Sequence, residues 1–215
     1  ELASLGAKVL QIRSVEIAMK YNVPLHVRSS FSDAPGTWVT GEDSALEDVS
    51  VTGVAYDKNE ARVQLVGVLD QPGVVAGIFG AIAEKNISVD MIIQSPSVAR
   101  AEGAPASEAV RADVTFTVTK TDLARVKPFL DELGARIGAR EVRYDEDVVK
   151  VSIVGLGMRS HAGVAAKMFG ILAKESINIQ AISTSEIKIS CLVASKYTEL
   201  AVRALHDGFG LADAV

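Results

Sequence analysis

The stretch Val63–Ser95, VQLVGVLDQPGVVAGIFGAIAEKNISVDMIIQS, returns further along the chain as Val151–Ser185, VSIVGLGMRSHAGVAAKMFGILAKESINIQAISTS. Gly67 matches Gly155, and two extra residues lengthen the loop of the second copy. Beyond that loop the register is constant, pairing Gly73 with Gly163, Phe79 with Phe169, Ile87 with Ile177 and Ser95 with Ser185. A strand–loop–helix–strand unit that occurs twice marks a duplicated small domain. In the first copy Val63, Leu65, Gly67 and Leu69 alternate with Gln64, Val66 and Val68, a nearly continuous apolar run that suits a covered strand. Asp70-Gln71-Pro72-Gly73 stops it, and Pro72 fits a first helical turn, where a missing N–H is harmless. Val75, Ile78, Phe79 and Ile82 then recur at helical spacing, as do Ala165, Met168, Phe169 and Leu172 in the second copy. Both patterns predict an amphipathic helix with one buried stripe. Lys85-Asn86 and Glu175-Ser176 end these helices, and strands are expected over residues 87–94 and 177–184.

Each copy is expected to continue with a strand and a second helix. Ala112, Val114, Phe116 and Val118 alternate with Asp113, Thr115, Thr117 and Thr119. Thr121-Asp122 is expected to cap a helix whose inward face is Leu123, Val126, Leu130 and Leu133, and a last strand is expected near 137–144. The order β-α-β-β-α-β is the split βαβ, ferredoxin-like arrangement. The second copy offers a strand over 187–193 and a helix over 197–205 but no closing strand, and Val49–Tyr56, upstream, is the candidate replacement. The fold class is therefore α+β, two ferredoxin-like βαββαβ domains with one nested in the other. Residues 96–110, rich in Ala, Pro, Gly and Ser, read as a long loop. Residues 1–48 stand outside the repeat and carry an amphipathic helix around 15–20, a strand over 23–29 and a turn at Ala34-Pro35-Gly36. The strands over 63–69 and 151–156 are apolar at almost every position. As open edges they would invite aggregation, so side-by-side pairing of the two copies is expected to cover them, between two chains in a homodimer with an eight-stranded sheet, with pairing within one chain as the alternative.

A length of 215 residues allows one to two domains, and 48% hydrophobic with 23% charged residues is ordinary for a globular protein. The formal net charge of −5 leaves no basic footprint for nucleic acid. No apolar run reaches the roughly 20 residues needed to span a bilayer, so no membrane partner is expected. There is no signal peptide, and the opening Glu1-Leu2-Ala3 without Met suggests a fragment or a processed chain. A single cysteine, Cys191, excludes an internal disulfide and alternates with Ile187, Ile189 and Val193, which reads as a reduced core residue of a cytoplasmic chain. His26, His161 and His206 match no metal spacing, and no metal site is expected. Gly155-Leu156-Gly157-Met158-Arg159-Ser160 approaches a dinucleotide fingerprint but ends in Ser, and no run of parallel βαβ units surrounds it.

The repeats resemble ACT domains, small amino-acid-sensing modules. Several stretches are similar to aspartate kinases more specifically: Ser4-Leu5-Gly6-Ala7-Lys8-Val9-Leu10, Val27-Arg28-Ser29-Ser30-Phe31, Pro35-Gly36-Thr37, Val54-Ala55-Tyr56-Asp57-Lys58-Asn59-Glu60-Ala61 and Ile182-Ser183-Thr184-Ser185-Glu186-Ile187. The resemblance covers essentially the whole chain. It implies a parent enzyme that transfers the γ-phosphoryl of ATP to the β-carboxylate of aspartate, the first step toward lysine, threonine and methionine. ATP and Mg would belong to the parent's kinase domain, with no cofactor in this fragment. The family's Lys-Phe-Gly-Gly-Thr type motif does not occur here, so the chain alone is expected to be non-catalytic. The resemblance further implies that residues 1–48 are the tail of the kinase domain, 58–145 a first ACT domain, and 49–57 with 146–215 a second. It implies lysine and/or threonine as feedback effectors and a homodimer formed through the ACT domains. A paired ACT module of another amino-acid enzyme, or a free-standing sensor, is the alternative, and residues 1–48 discriminate, since a free sensor has no need of them. Gln11-Ile12 stands where many members have His-Pro, Ala162 replaces a common Pro, and Ala165 replaces a common Thr, removing a hydroxyl from the second site.

The loop-to-helix junctions are where an amino acid would bind. A helix N-terminus presents N–H donors and a partial positive charge to a carboxylate. For the first site the candidates are Asp70, Gln71, Pro72, Gly73 and Val74, with Ile87 and Asp90 offering a carbonyl and a carboxylate for an ammonium, and Gln94 both donor and acceptor. For the second they are Met158, Ser160, His161, Gly163, Val164 and Ala165, facing Asn178, Ile179 and Gln180. Gln180 stands where the first copy has Asp90, so the two sites are not expected to share a ligand preference.

Overall fold

The computed structural model describes residues 2–7, 9–41, 51–96, 110–155 and 163–212. The chain divides into two compact units, one of Lys58–Lys150 with Leu192–Lys196, the other of Glu1–Asp57, Val151–Cys191 and Tyr197–Val215.

The first unit is built on a four-stranded antiparallel sheet. Its elements are β4 (Glu60–Leu69), α2 (Val74–Glu84), β5 (Asp90–Pro96), β6 (Arg111–Thr119), α3 (Lys120–Arg136) and β7 (Glu141–Asp145), with strand order β5-β6-β4-β7. Alternation sorts β4 and β6 between two faces. Ala61, Val63, Leu65, Val114, Phe116 and Val118 point into one core with Ile78 and Ile82 of α2 and Leu123, Val126, Leu130 and Leu133 of α3. Phe116 is fully buried and meets Phe79 edge to face, ring centroids 5.5 Å apart. Arg62, Gln64, Thr115 and Thr117 take the opposite face, where Arg62 bridges to Asp145 at 3.1 Å.

Three boundaries differ from the sequence reading, each for a local reason. β5 begins at Asp90 rather than at residue 87, because Asn86 turns left-handed (φ 59°) and Ile87 is buried as an anchor before the strand starts. The cap of α3 is Thr119, whose hydroxyl accepts the Asp122 N–H at 3.0 Å, and Thr121 lies inside the helix. The last strand starts at Glu141, after a turn closed by the Ala139 N–H to Gly134 O bond of 2.9 Å.

The second sheet has the order β3-β8-β10-β9, from β3 (Gly53–Asp57), β8 (Val148–Val154), β9 (Ile179–Thr184) and β10 (Lys188–Ala194), with α4 (Val164–Lys174) and α5 (Thr198–Gly208). The strand upstream of the first unit thus occupies the edge next to β8. β9 starts two residues later than residue 177 because Ser176, like Asn86, is left-handed (φ 58°). Val151, Ile153, Met168, Leu172, Ile189, Cys191, Ala201 and Leu205 are buried in this unit, and burial pushes the Cys191 thiol up to about 12. Ahead of it lie α1 (Ile12–Tyr21) and a hairpin of β1 (Leu25–Val27) with β2 (Thr37–Val39), in which His26 stacks on Trp38 at 4.0 Å. No described helix is long and apolar enough to cross a membrane.

One expectation is overturned. The apolar strands that were to be open edges are central. β4 lies between β6 and β7, and β8 between β3 and β10. Their apolar character is accounted for by burial within their own sheets. Phe116→Ala should lower the unfolding free energy by about 3–5 kcal/mol in urea denaturation, since it leaves a large void among fully buried neighbours. A change under about 1 kcal/mol would show that Phe116 is not central to this core.

Candidate functional site

β4 does not run straight into its loop. The β4–β6 register slips between Leu65 and Val68, and Gly67 is left-handed (φ 64°). The Gly67 N–H donates to Asp113 Oδ1 at 2.8 Å, and its carbonyl accepts from the Arg111 guanidinium, which also reaches Gly138 O at 3.0 Å. A Cβ at Gly67 would sit 2.8 Å from Arg140 Cδ, so no larger residue fits without a shift. This bulge re-aims the end of the strand. The Asp70 N–H is then tied to Val110 O at 2.9 Å.

The turn into α2 closes at Gly73, φ 93°, with the Val74 N–H bonded to Gln71 O at 3.2 Å and Gly77 N–H to Gly73 O at 2.9 Å. Among the described residues no side chain caps α2, and its first turn holds no acidic residue. The helix therefore presents backbone donors and a partial positive charge at an exposed loop of Gln71, Pro72 and Gly73. Val74 is half-buried beneath it. Asp70 and Gln94 meet above this end, Gln94 Nε2 donating to Asp70 Oδ1 at 3.1 Å. A carboxylate, an amide and a helix N-terminus form a bipolar surface that fits an α-carboxylate with an α-ammonium.

The remaining first-site candidates lie elsewhere. Ile87 is buried, 7% exposed. Asp90 begins β5 four residues before Gln94, but a register slip between them leaves their β6 partners, Thr117 and Val114, three residues apart, about 10 Å along the strand. Its Oδ1 accepts the Met91 N–H at 2.8 Å and its Oδ2 accepts from Lys150 Nζ at 2.8 Å. Lys150 also binds Glu60, and both are buried. Burial alone would lower the Lys150 pKa, but its hydrogen bonds to Asp90 and Glu60 hold it above the usual lysine value. Sequence reading missed Lys150 and Glu60. The available signal was a single charge inside the apolar run Val148–Val154, which a buried strand tolerates only with a partner.

The start of α4 repeats that of α2. Gly163 has φ 94°, Lys167 N–H bonds Gly163 O at 2.9 Å, the first turn of α4 holds no acidic residue, and among the described residues no side chain caps it. Val164 is buried and Ala165 half-buried. Met158, Ser160 and His161 lie outside the described residues. Asn178 is exposed, while Ile179 and Gln180 are half-buried on β9. Among the described residues Gln180 Oε1 is buried with no hydrogen-bond partner. Asp90, its counterpart, is committed to Lys150.

Comparison with known proteins places this geometry. ACT-domain families match residues 63–135 and 151–209. The aspartokinase of Pseudomonas aeruginosa is 51% identical over 213 residues, covering 98% of this chain and 49% of its own length. The chain spans about half the length of the curated relatives it matches. The crystal structure of the ligand-free regulatory subunit of aspartate kinase from Thermus thermophilus is 42% identical with a TM-score of 0.65, covering 74% of this chain and 99% of that one. Aspartokinase III of E. coli, in a T-state complex with lysine and aspartate, is 27% identical with a TM-score of 0.70, covering 97% of this chain and 44% of that one. Sheet order and repeat matches together define a pair of ACT domains. The chain belongs to the aspartokinase family, of which it is the regulatory portion.

Gly73 and Gly163 offer the simplest test of the junctions. Among the described residues a Cβ at either would meet nothing within 4 Å, so the left-handed φ is what resists substitution. Gly73→Ala or Gly163→Ala should each destabilise by about 1–2 kcal/mol in denaturant titration. An unchanged midpoint would mean that these turns do not require glycine.

Proposed function

We propose that this chain is the feedback sensor of an aspartate kinase, binding lysine and/or threonine and passing their presence to a catalytic half that makes 4-phospho-L-aspartate from ATP and L-aspartate. The pathway would be lysine, threonine and methionine biosynthesis in the cytoplasm, with ATP and Mg held by the kinase domain. The observation that carries the reading is the duplicated, uncapped helix start at Gly73 and Gly163, the first of them beneath the Asp70–Gln94 pair. Lysine in complex with the E. coli relative supports the ligand class. The proposed ligand contacts are the backbone donors at the start of α2 for the α-carboxylate, and Asp70 with Gln94 for the α-ammonium. The second site would use the backbone donors at the matching start of α4 for the α-carboxylate.

In this reading residues 1–48 end the kinase domain, 58–145 form the first ACT domain, and 49–57 with 146–215 the second. The apolar side chains exposed in the N-terminal segment, among them Phe31 (fully exposed), Met19 and Trp38, support a neighbour covering it. The proposal includes a homodimer through the ACT domains. Its support is the edge strands β5 and β9, which expose Ile92 and Ile182 at equivalent places in the repeat. Regulation follows from differential affinity, since effector can shift only an equilibrium between arrangements that it binds unequally.

Calorimetric titration with lysine and threonine, singly and together, should give saturable heat with at least one. Asp70→Ala should weaken it roughly tenfold or more, from the loss of a charge-assisted bond of about 1.5–3 kcal/mol. Sedimentation of the same samples should show a dimer. No heat with either amino acid, or unchanged affinity in Asp70→Ala, contradicts the site, and a monomer under every condition contradicts the homodimer.

A further inference from the structure

Lys150 is the one charged residue in the strand Val148–Val154, every position of which is buried. It is the last residue of the main segment of the first unit, and its ammonium joins two of that unit's strands. It bonds Glu60 at the start of β4 and Asp90 Oδ2, at 2.8 Å, at the start of β5. β6 lies between those strands, and the cross-strand partners of Glu60 and Asp90 on it are Thr119 and Thr117. The ammonium therefore spans the outer face of the sheet. Exposure of the three side chains is unequal, 6% for Lys150, 7% for Glu60 and 50% for Asp90. A carboxylate as deep as Glu60 requires a cation. Asp90 is half in water, yet its other oxygen is already taken by the N–H of Met91, a left-handed residue (φ 47°) at an irregular step of β5. The duplicated copy lacks the pair, with Val148 and Gln180 at the corresponding positions.

We propose that Glu60 and Asp90 form a primary-ammonium site that Lys150 fills as a tethered ligand, and that Lys150 thereby excludes effectors with a cationic side chain from Asp90. A primary ammonium brings one charge and three donors, and Lys150 Nζ spends one donor on each carboxylate. The free lysine side chain carries the same group, so it can take this place only when Lys150 is gone. The exclusion rests on the reading of the chain as an amino-acid sensor, whereas the ammonium site stands on the geometry alone.

The test is Lys150→Ala in the 215-residue chain, melted with and without n-propylammonium, which replaces the atoms removed. The variant should lose at least about 6 °C in Tm, the lower end expected for a broken buried pair in a chain of this size. n-Propylammonium should restore it saturably, and tetramethylammonium at equal ionic strength should not. If the variant is too unstable to purify, refolding yield from urea in the two salts gives the same comparison. Free lysine should raise the Tm of Lys150→Ala more than that of Lys150→Ala/Asp90→Asn. In the native background Asp90→Asn should leave lysine and threonine affinities within about twofold, below the cost of a lost charged bond. Equal recovery in both salts, or none, overturns the ammonium site. A tenfold loss of amino-acid binding in Asp90→Asn overturns the exclusion. A chain that binds neither amino acid removes the exclusion with the sensor reading, and leaves the ammonium site to its melting shift.

Discussion

In each four-stranded sheet the strand that leads toward the first helix of its unit is a central one, β4 in one and β8 in the other. In both, the chain must reverse soon after that strand and enter a helix. Each helix is entered through a residue in the left-handed region, Gly73 with φ 93° and Gly163 with φ 94°. Non-glycine residues adopt that conformation at a penalty. Among the described residues no side chain caps the start of either helix. The residue that the turn requires is thus also the one that brings no capping side chain to the helix. The backbone donors that a cap would normally satisfy face outward, where an anionic ligand group can take them.

The second constraint is charge burial. Glu60 and Lys150 are both nearly inaccessible, and neither is tolerable without the other. Lys150 gains Asp90 as a further partner and so gathers the starts of β4 and β5 under one ammonium. Toward the other end of β5, Gln94 holds Asp70. The strand after α2 is therefore fixed by a polar contact toward each end. Only the outer one, at Asp70, is exposed enough to exchange its partner for a solute without stranding a buried charge.

Much of this was legible in the amino-acid order because it repeats. Helix faces such as Val75, Ile78, Phe79 and Ile82 follow from spacing, and the missing last strand of the second copy pointed upstream to residues now seen in β3. What misled was local or distant. The left-handed Asn86 and Ser176 delay β5 and β9. Asn often takes that conformation just after a helix, but Ser does not announce it. Apolar runs in β4 and β8 look the same whether a strand is central or an edge awaiting a partner, and the hydrogen-bonded order alone separates the two. The pairing of Lys150 with Glu60 joins residues ninety positions apart. Nothing in one sequence ranks that contact above the many other acid–base pairs, so Asp90 read as an open ligand group when it is already occupied.

The central claim is that the two glycine-initiated helix starts receive an amino-acid carboxylate. Backbone-amide NMR of the chain during titration with lysine and with threonine tests it most directly. The account predicts saturable shifts concentrated at Asp70–Val75 and at Gly163–Ala165, with the Gly73 and Gly163 amides among the largest. Binding whose shifts leave both glycine amides unmoved would contradict it.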